Sequence, residues 1–338
     1  MHYIICFVIA FIISLILTPI VRKISLKLNI LDIPHSDVKT HKLPVPYLGG
    51  VSIIIGFWLS ILIIRLITHF PTGTLYSLRG ILYGSLIICL LGLIDDIKYN
   101  GLHFKIKFFI EIIVSIILFF YGIRIKFITP DWFALLISLI WIVGIINALN
   151  IIDIMDGLSS GIAVISALSF FFIGLPKEEE IYVNFASIAL VGSCLGFIPY
   201  NLSSKYKIFM GDTGSLFIGF ILASISLGTR YSGVHNIGIF VPILLLAIPI
   251  YDTLLVIYFR WRKGISPFLG SKDHFALRLR QKGYSDKTIL LTVYIIAAIL
   301  GICGFLITIL PFFISILIYS FVLLFGIILG YKLSLIKV

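Results

Sequence analysis

Asp95 and Asp96 stand side by side at the end of the unbroken apolar run LIICLLGLI. Adjacent carboxylates at such a place can share a divalent cation, or divide so that one holds metal and the other handles a proton. A solvated helix end is the plain alternative, but ionisable groups near membrane depth are costly and tend to mark function. Further along, NALNIIDIMDGLSSG sets Asn147, Asn150, Asp153 and Asp156 at a constant interval of three. Each such step drifts by about 60° on an α-helix, so one regular helix cannot turn all four toward one ligand. The spacing predicts either a 3₁₀ tightening, where i and i+3 eclipse, or a break near Asp153 ahead of Gly157. Amides and carboxylates converging at a broken helix end suit a polar ligand.

In FMGDTGSLFIGF, Gly211 and Gly214 bracket Asp212, and Ser215 opens an apolar run. Glycines let backbone approach a phosphate, a helix N-terminus favours anions, and Asp212 can offer oxygen to a phosphate-bridging Mg²⁺. Lys107 follows the Asp95–Asp96 loop, within range of the same anion or simply snorkelling to the interface. The stretch Arg260 to Lys287 is strongly basic, which suits lipid headgroups, and holds His274 beside Asp273. An earlier loop, LDIPHSDVKTHKLPVPYLGG, mixes Lys39, His41 and Lys42 with helix-breaking prolines, as a phosphate-facing loop would. Carboxylates for metal, lysines for phosphate and amides for a polar head together fit phosphoryl transfer to a lipid carrier, which needs charge neutralisation and in-line positioning more than covalent chemistry.

The elements that must position these residues are membrane helices. The 338 residues are 60% hydrophobic and only 12% charged, with mean hydropathy +1.16, far from a soluble composition. At about 20 apolar residues per span, about eleven segments emerge, near 2–20, 48–69, 79–94, 106–122, 132–152, 157–175, 181–200, 214–228, 236–258, 288–308 and 311–331. The first has no small-residue cleavage site and its basic residues follow it, so it reads as a span with an outer N-terminus rather than a leader. The fold expected is all-α: a polytopic integral membrane protein forming a single domain over 1–338, its C-terminus cytoplasmic. Working loops are expected near 21–47, 95–107, 153–161, 201–215 and 259–287.

Charge supports that orientation. With Arg22, Lys23, Lys27, Lys39 and Lys42 cytoplasmic, strict alternation leaves only Arg79, Arg124, Lys126, Lys177 and Arg230 outside, with Arg65 in a span. The carboxylates Asp32, Asp37, Asp95, Asp96, Asp153, Asp156, Asp212, Asp252, Asp273 and Asp286 fall on the same cytoplasmic side, although no topology rule asks this of them. Glu111 lies within a span. The formal charge of +11 sits in short loops, so anionic headgroups, not nucleic acid, are the expected partner. Cys6, Cys89, Cys194 and Cys303 lie in apolar runs without metal-ligand or redox spacing.

Taken in order, these motifs resemble the polyprenyl-phosphate N-acetylhexosamine-1-phosphate transferases, over nearly the whole chain. LGLIDD resembles the family's aspartate pair, with Lys107 and Glu111 where Lys and Gln are common. NALNIIDIMDGL resembles NAxNxxDGxDGL, which implies nucleotide-site roles for Asn150, Asp153 and Asp156. NLSSKYKIFMGDTGSL resembles the segment whose Asp, here Asp212, binds Mg²⁺ and whose Asn and Phe, here Asn201 and Phe209, hold uridine. DHFALRLRQKGYS resembles the HxHHRLxxxGxS loop at the sugar-phosphate end, and DIPHSDVKTHKLPVPYLGG the first cytoplasmic loop, with Asp32, Lys39 and His41 at its polar positions. Two departures stand out: Ile154 replaces a glycine, and of the loop histidines only His274 remains, with Ala276 and Leu277 in the other places.

The resemblance implies transfer of an N-acetylhexosamine-1-phosphate, GlcNAc-1-phosphate above others, from a UDP-sugar to undecaprenyl or another polyprenyl phosphate, releasing UMP at the inner (plasma) membrane's cytoplasmic face. This would be the first membrane step of a cell-envelope glycan. It implies catalytic roles for Asp95, Asp96, Asp153, Asp156, Lys107 and His274, and substrate contacts from Asn150, Asn201, Phe209, Lys39 and His41. It further implies Mg²⁺, with Mn²⁺ as the alternative ion, on Asp212 and Asp95, and leaves a homodimer open. The spacing favours this branch over phospho-MurNAc-pentapeptide transferase, the other reading within the family. A secondary transporter of an anionic metabolite is the alternative from another class; it would place its polar groups at midplane, usually with repeat symmetry.

Overall fold

The computed structural model describes residues 1–34, 43–98, 101–176, 181–229, 231, 234–266 and 272–336. Two compact units emerge, one before residue 230 and one after it. The first holds α1 (His2–Lys27), α2 (Gly49–Ile67), α3 (Thr72–Ile97), α4 (Phe104–Phe120), α5 (Asp131–Ile151), α6 (Leu158–Gly174), α7 (Ile181–Asn201) and α8 (Gly211–Gly228). Its only described strands are β1 (Leu31–Asp32) and β2 (Val45–Pro46), an antiparallel pair with Leu31 opposite Pro46. The second unit holds α9 (Val241–Leu245), α10 (Ala247–Arg262), α11 (Phe275–Gln281), α12 (Asp286–Ile307) and α13 (Phe312–Ser334).

Among the described residues, eight helices are long and apolar enough to cross a membrane, and a ninth crossing arises if α9, its preceding 3₁₀ turn and α10 count together. This is a multi-pass membrane protein. The expected straight segment over 236–258 is instead bent by 71° between α9 and α10. Pro249 lies four residues after Leu245 and has no N–H to give that carbonyl, so the helical ladder cannot run through.

In the first unit α8 is the central helix. Its most apolar stretch is 89% buried, whereas that of α13, apolar all round, is 6% buried within the protein and suits a lipid environment. α8 lies against α3, α5 and α2, and α1 packs along α7 and α2. Glycines set this closeness: a Cβ on Gly92 of α3 would meet Thr213 Cα at 2.5 Å, and one on Gly50 of α2 would collide with the Gly214 backbone. Small residues let helix backbones approach in a membrane, where apolar packing alone gives little drive to associate. The end of α3 thus comes against the first turn of α8.

The helix ends of this unit fall into two sets. At one end, Arg22 Nε donates to the Lys207 carbonyl at 3.1 Å, Phe209 N to Pro46 O at 2.8 Å, and Gly49 N to Phe209 O at 2.9 Å. At the other, Tyr76 Oη donates to Phe120 O at 2.9 Å, and the Tyr3 ring meets Phe171 and Phe185. The carboxylate cluster described next lies in the first set.

Candidate active site

α3 delivers the aspartate pair to the start of α8, and the two carboxylates do different work. Asp96 is buried and uses both oxygens on the helix: Oδ1 accepts from Asp212 N at 2.8 Å, and Oδ2 from Thr213 N at 3.0 Å and Thr213 Oγ1 at 2.6 Å. It caps the N-terminus of α8 from another helix, where orphan amides and the helix dipole both favour an anion. Gly211 enters the helix at φ +75°, and any side chain there would run into the Asp96 carboxylate.

Asp95 looks the other way. Its Oδ1 accepts from Leu102 N at 2.6 Å, while Oδ2 lies 3.3 Å from Lys107 Nζ, on the first turn of α4. The same ammonium donates to Asp212 Oδ2 at 2.6 Å, so Lys107 bridges two aspartates from two helices. Oxygens of Asp95, Asp96 and Asp212 can be chosen that all lie within 4.8 Å of one another.

The interval-of-three segment breaks where its periodicity required. α5 stops at Ile151, Asp153 N closes one 3₁₀-type bond back to Asn150 O at 3.3 Å, and Gly157 at φ +75° leads into α6. Asn150 Nδ2 reaches Ser215 Oγ at 2.9 Å, tying α5 to the first turn of α8. Asn147 Nδ2 donates to Glu111 Oε2 at 2.5 Å, tying α5 to α4. The Asp153 carboxylate has neither partner: burial first, then the negative fields of Asp212, Asp156 and Asp96, hold its pKa well above the usual carboxylate range. Asp156 pairs with Lys207 at 2.6 Å, and Lys207 Nζ also lies 5.1 Å from the Phe209 ring centroid. Asn201 is spent on backbone, accepting from Gly157 N at 2.6 Å and donating to Ile208 O at 3.0 Å, which locks the turn before α6 to the turn before α8.

The first unit therefore brings together Asp95, Asp96, Lys107, Asn150, Asp153 and Asp212, with Asp156, Asn201 and Phe209 joined through Lys207 and Gly157. Lys39 and His41 lie outside the described residues. His274 belongs to the second unit, where its Nδ1 meets Asp252 Oδ2 at 2.7 Å and Asp252 Oδ1 accepts from Phe275 N at 2.9 Å. Beside it, burial alone would raise the Asp273 pKa, yet Lys263 at 2.8 Å and Arg278 at 2.8 Å hold it below the usual range. Sequence reasoning missed Tyr47, whose phenol pKa is raised by burial and by the fields of Asp96, Asp32, Asp212 and Asp95. Only its place before the paired glycines of PYLGG hinted at it. Thr213 and Lys207 were likewise hidden, since each takes its place through a contact distant in sequence.

Among the described residues, Asp95, Asp96, Asp153 and Asp212 set four carboxylates against the one ammonium of Lys107. Two like unit charges about 4 Å apart repel by about 4 kcal/mol at an effective dielectric of about 20, so such a cluster calls for further positive charge. Hard carboxylate oxygens are the donors a Mg²⁺ ion takes, and those of Asp95, Asp96 and Asp212 lie close enough together to share one. The donor set fits a divalent cation.

Comparison with known proteins agrees with this inventory. Residues 78–230 match the family model for glycosyl transferase family 4. Over 308 residues the chain is 32% identical to a probable undecaprenyl-phosphate N-acetylglucosaminyl 1-phosphate transferase of Bacillus subtilis, covering 88% of this chain and 83% of that protein. The chain belongs to glycosyl transferase family 4. It is also 30% identical to the decaprenyl-phosphate N-acetylglucosaminephosphotransferase of Mycobacterium tuberculosis, covering 81% of this chain and 75% of that one. The undecaprenyl-phosphate alpha-N-acetylglucosaminyl 1-phosphate transferase of Escherichia coli is 27% identical, with 84% and 78% covered. The family stretch runs from α3 through α8, so it takes in every member of the carboxylate cluster.

Proposed function

We propose that this family 4 glycosyl transferase moves GlcNAc-1-phosphate from UDP-GlcNAc to undecaprenyl or another polyprenyl phosphate, releasing UMP, on the cytoplasmic face of the plasma membrane. The observation that carries the reading is the Asp95–Lys107–Asp212 cluster at the head of α8, with Asp153 unpartnered beside it. The relatives' names supply the acceptor and the sugar. An oxygen of the lipid phosphate attacks the β-phosphorus; the bond from that phosphorus to the bridging oxygen breaks, and UMP leaves with the oxygen. The product, polyprenyl-diphosphate-GlcNAc, would open a cell-envelope glycan.

Asp212, Asp95 and Asp153 would hold the Mg²⁺ ion, which when bound supplies charge neutralisation for the diphosphate. Asp95, not tied to the helix amides as Asp96 is, would meet the lipid phosphate and accept any proton it carries. Lys107 offers a phosphate-binding ammonium on the same side. Lys207 and Phe209 would face the nucleotide, with Asn150 and Asn201 holding the backbone and helix ends that shape its seat. Asp156, through Lys207, keeps that cation in place.

Eleven crossings fit this reading: the eight long helices, the bent pair, and the shorter α4 and α6, each of 17 residues. An odd count puts the termini on opposite sides, and the charge distribution puts the N-terminus outside. The test is direct. Purified protein with Mg²⁺, UDP-GlcNAc and undecaprenyl phosphate should release UMP, and Asp212→Ala should stop it. No UMP from any member of a UDP-HexNAc panel would overturn the proposal.

A further inference from the structure

Glu111 plays no part in the scheme above, yet it is a carboxylate buried without exposed surface in the middle of the site's support. It sits on α4 one turn beyond Lys107, at the i, i+4 spacing where side chains of opposite charge meet on a helix. Its Oε2 accepts from Asn147, while its Oε1 has no hydrogen-bond partner and is buried. An orphaned carboxylate oxygen in such a place is expensive unless something else visits it. Lys107 is the cation in its electrostatic reach. That ammonium now lies between Asp95 and Asp212, among the oxygens best arranged for a divalent ion. Ammonium and divalent cation cannot share that space, since like charges in contact repel and the oxygens are common to both.

We propose that Glu111 is the second seat of Lys107: when a divalent cation enters between Asp95 and Asp212, the ammonium withdraws along α4 and pairs with Glu111 Oε1. Glu111 is then a positioning residue. It lowers the cost of evicting the lysine, and it keeps Lys107 charged and close at hand for an incoming phosphate. Asn147 holds the other carboxylate oxygen still, so Oε1 stays aimed for the exchange.

The inference rests on the cation-binding reading of the cluster, and the test needs neither nucleotide nor lipid. Mn²⁺ binding to the purified full chain is measured by calorimetry and by the Mn²⁺ spin-resonance signal, for the parent, Glu111→Gln, Lys107→Met and the double variant. Gln keeps an acceptor for Asn147 but cannot pair with an ammonium. Glu111→Gln should weaken Mn²⁺ binding about fivefold or more, a usual size for coupling between sites. In the Lys107→Met background the same change should have no effect, because no lysine remains to be housed. Equal weakening in both backgrounds would make Glu111 a merely structural support and overturn the proposal, as would unchanged binding in Glu111→Gln. Absence of Mn²⁺ binding in the parent would remove the cation reading itself, a separate failure from loss of the coupling.

Discussion

Asp153 shows how one residue can carry a site's electrostatic state. Its raised pKa means that the folded protein, free of divalent cation, holds a proton there at pH values where the unfolded chain, with an ordinary value of about 4, has released it. Across that window the unfolded state binds fewer protons than the native one, so stability falls as pH rises. The contribution is complete below about pH 4 and is lost as pH climbs through the folded-state pKa. In chelator, the thermal midpoint of the parent should therefore decline from mildly acid to alkaline pH, and Asp153→Asn should flatten that decline. An identical slope in the variant would place the dependence elsewhere. The residue types at this site were legible in the sequence because charge beside apolar runs is conspicuous. Their division of labour was not: nothing in LGLIDD says that Asp96 faces α8 while Asp95 faces Lys107, because that depends on how α3 is rotated against a helix more than a hundred residues later.

At the scale of elements, Asp96 holds the start of α8. Two main-chain amides and one hydroxyl at the helix start converge on its carboxylate, and losing a side-chain cap of this kind costs about 1–2 kcal/mol. Asp96→Ala should lower the thermal midpoint of the protein more than Asp96→Asn, which keeps one acceptor, and more than Asp95→Ala, whose partners are a single amide and a lysine. A variant as stable as the parent would refute the capping role. The break at Asp153 was readable beforehand, since a three-residue repeat and a 3.6-residue helix cannot agree over three steps. The 71° bend after Leu245 was signalled by Pro249 but hidden inside an apolar run that looks continuous by hydropathy. Hydropathy reports which residues leave water; it is silent on where the backbone ladder fails.

For the whole molecule, apolar length carried most of the helical architecture, because the bilayer sets the helix length and the backbone must bond within each helix. What it left out is the packing of glycines that lets α2, α3 and α8 converge, visible only once partner helices are known. The sidedness can be argued from two independent lines. Loop charge predicts Arg22, Lys98, Lys205 and Lys207 on the cytoplasmic side. The hydrogen bonds of the first unit separately gather the end of α1, the β1–β2 ladder and the start of α8 at one end, and the start of α3 and the end of α4 at the other. Alternation along the chain and contact in space thus divide the loops the same way, and one labelled position at each end decides which end is which. Gly73 opens α3 with nothing near it, and Ser204 is exposed between α7 and α8. With the native cysteines lying within helices, Gly73→Cys should react with a membrane-impermeant maleimide in right-side-out vesicles and Ser204→Cys in inside-out vesicles. The reverse pattern would turn the protein over and move the carboxylates away from a cytoplasmic nucleotide donor. Labelling of both positions from one side would break the alternation of α3 through α7, and with it the eleven-span topology.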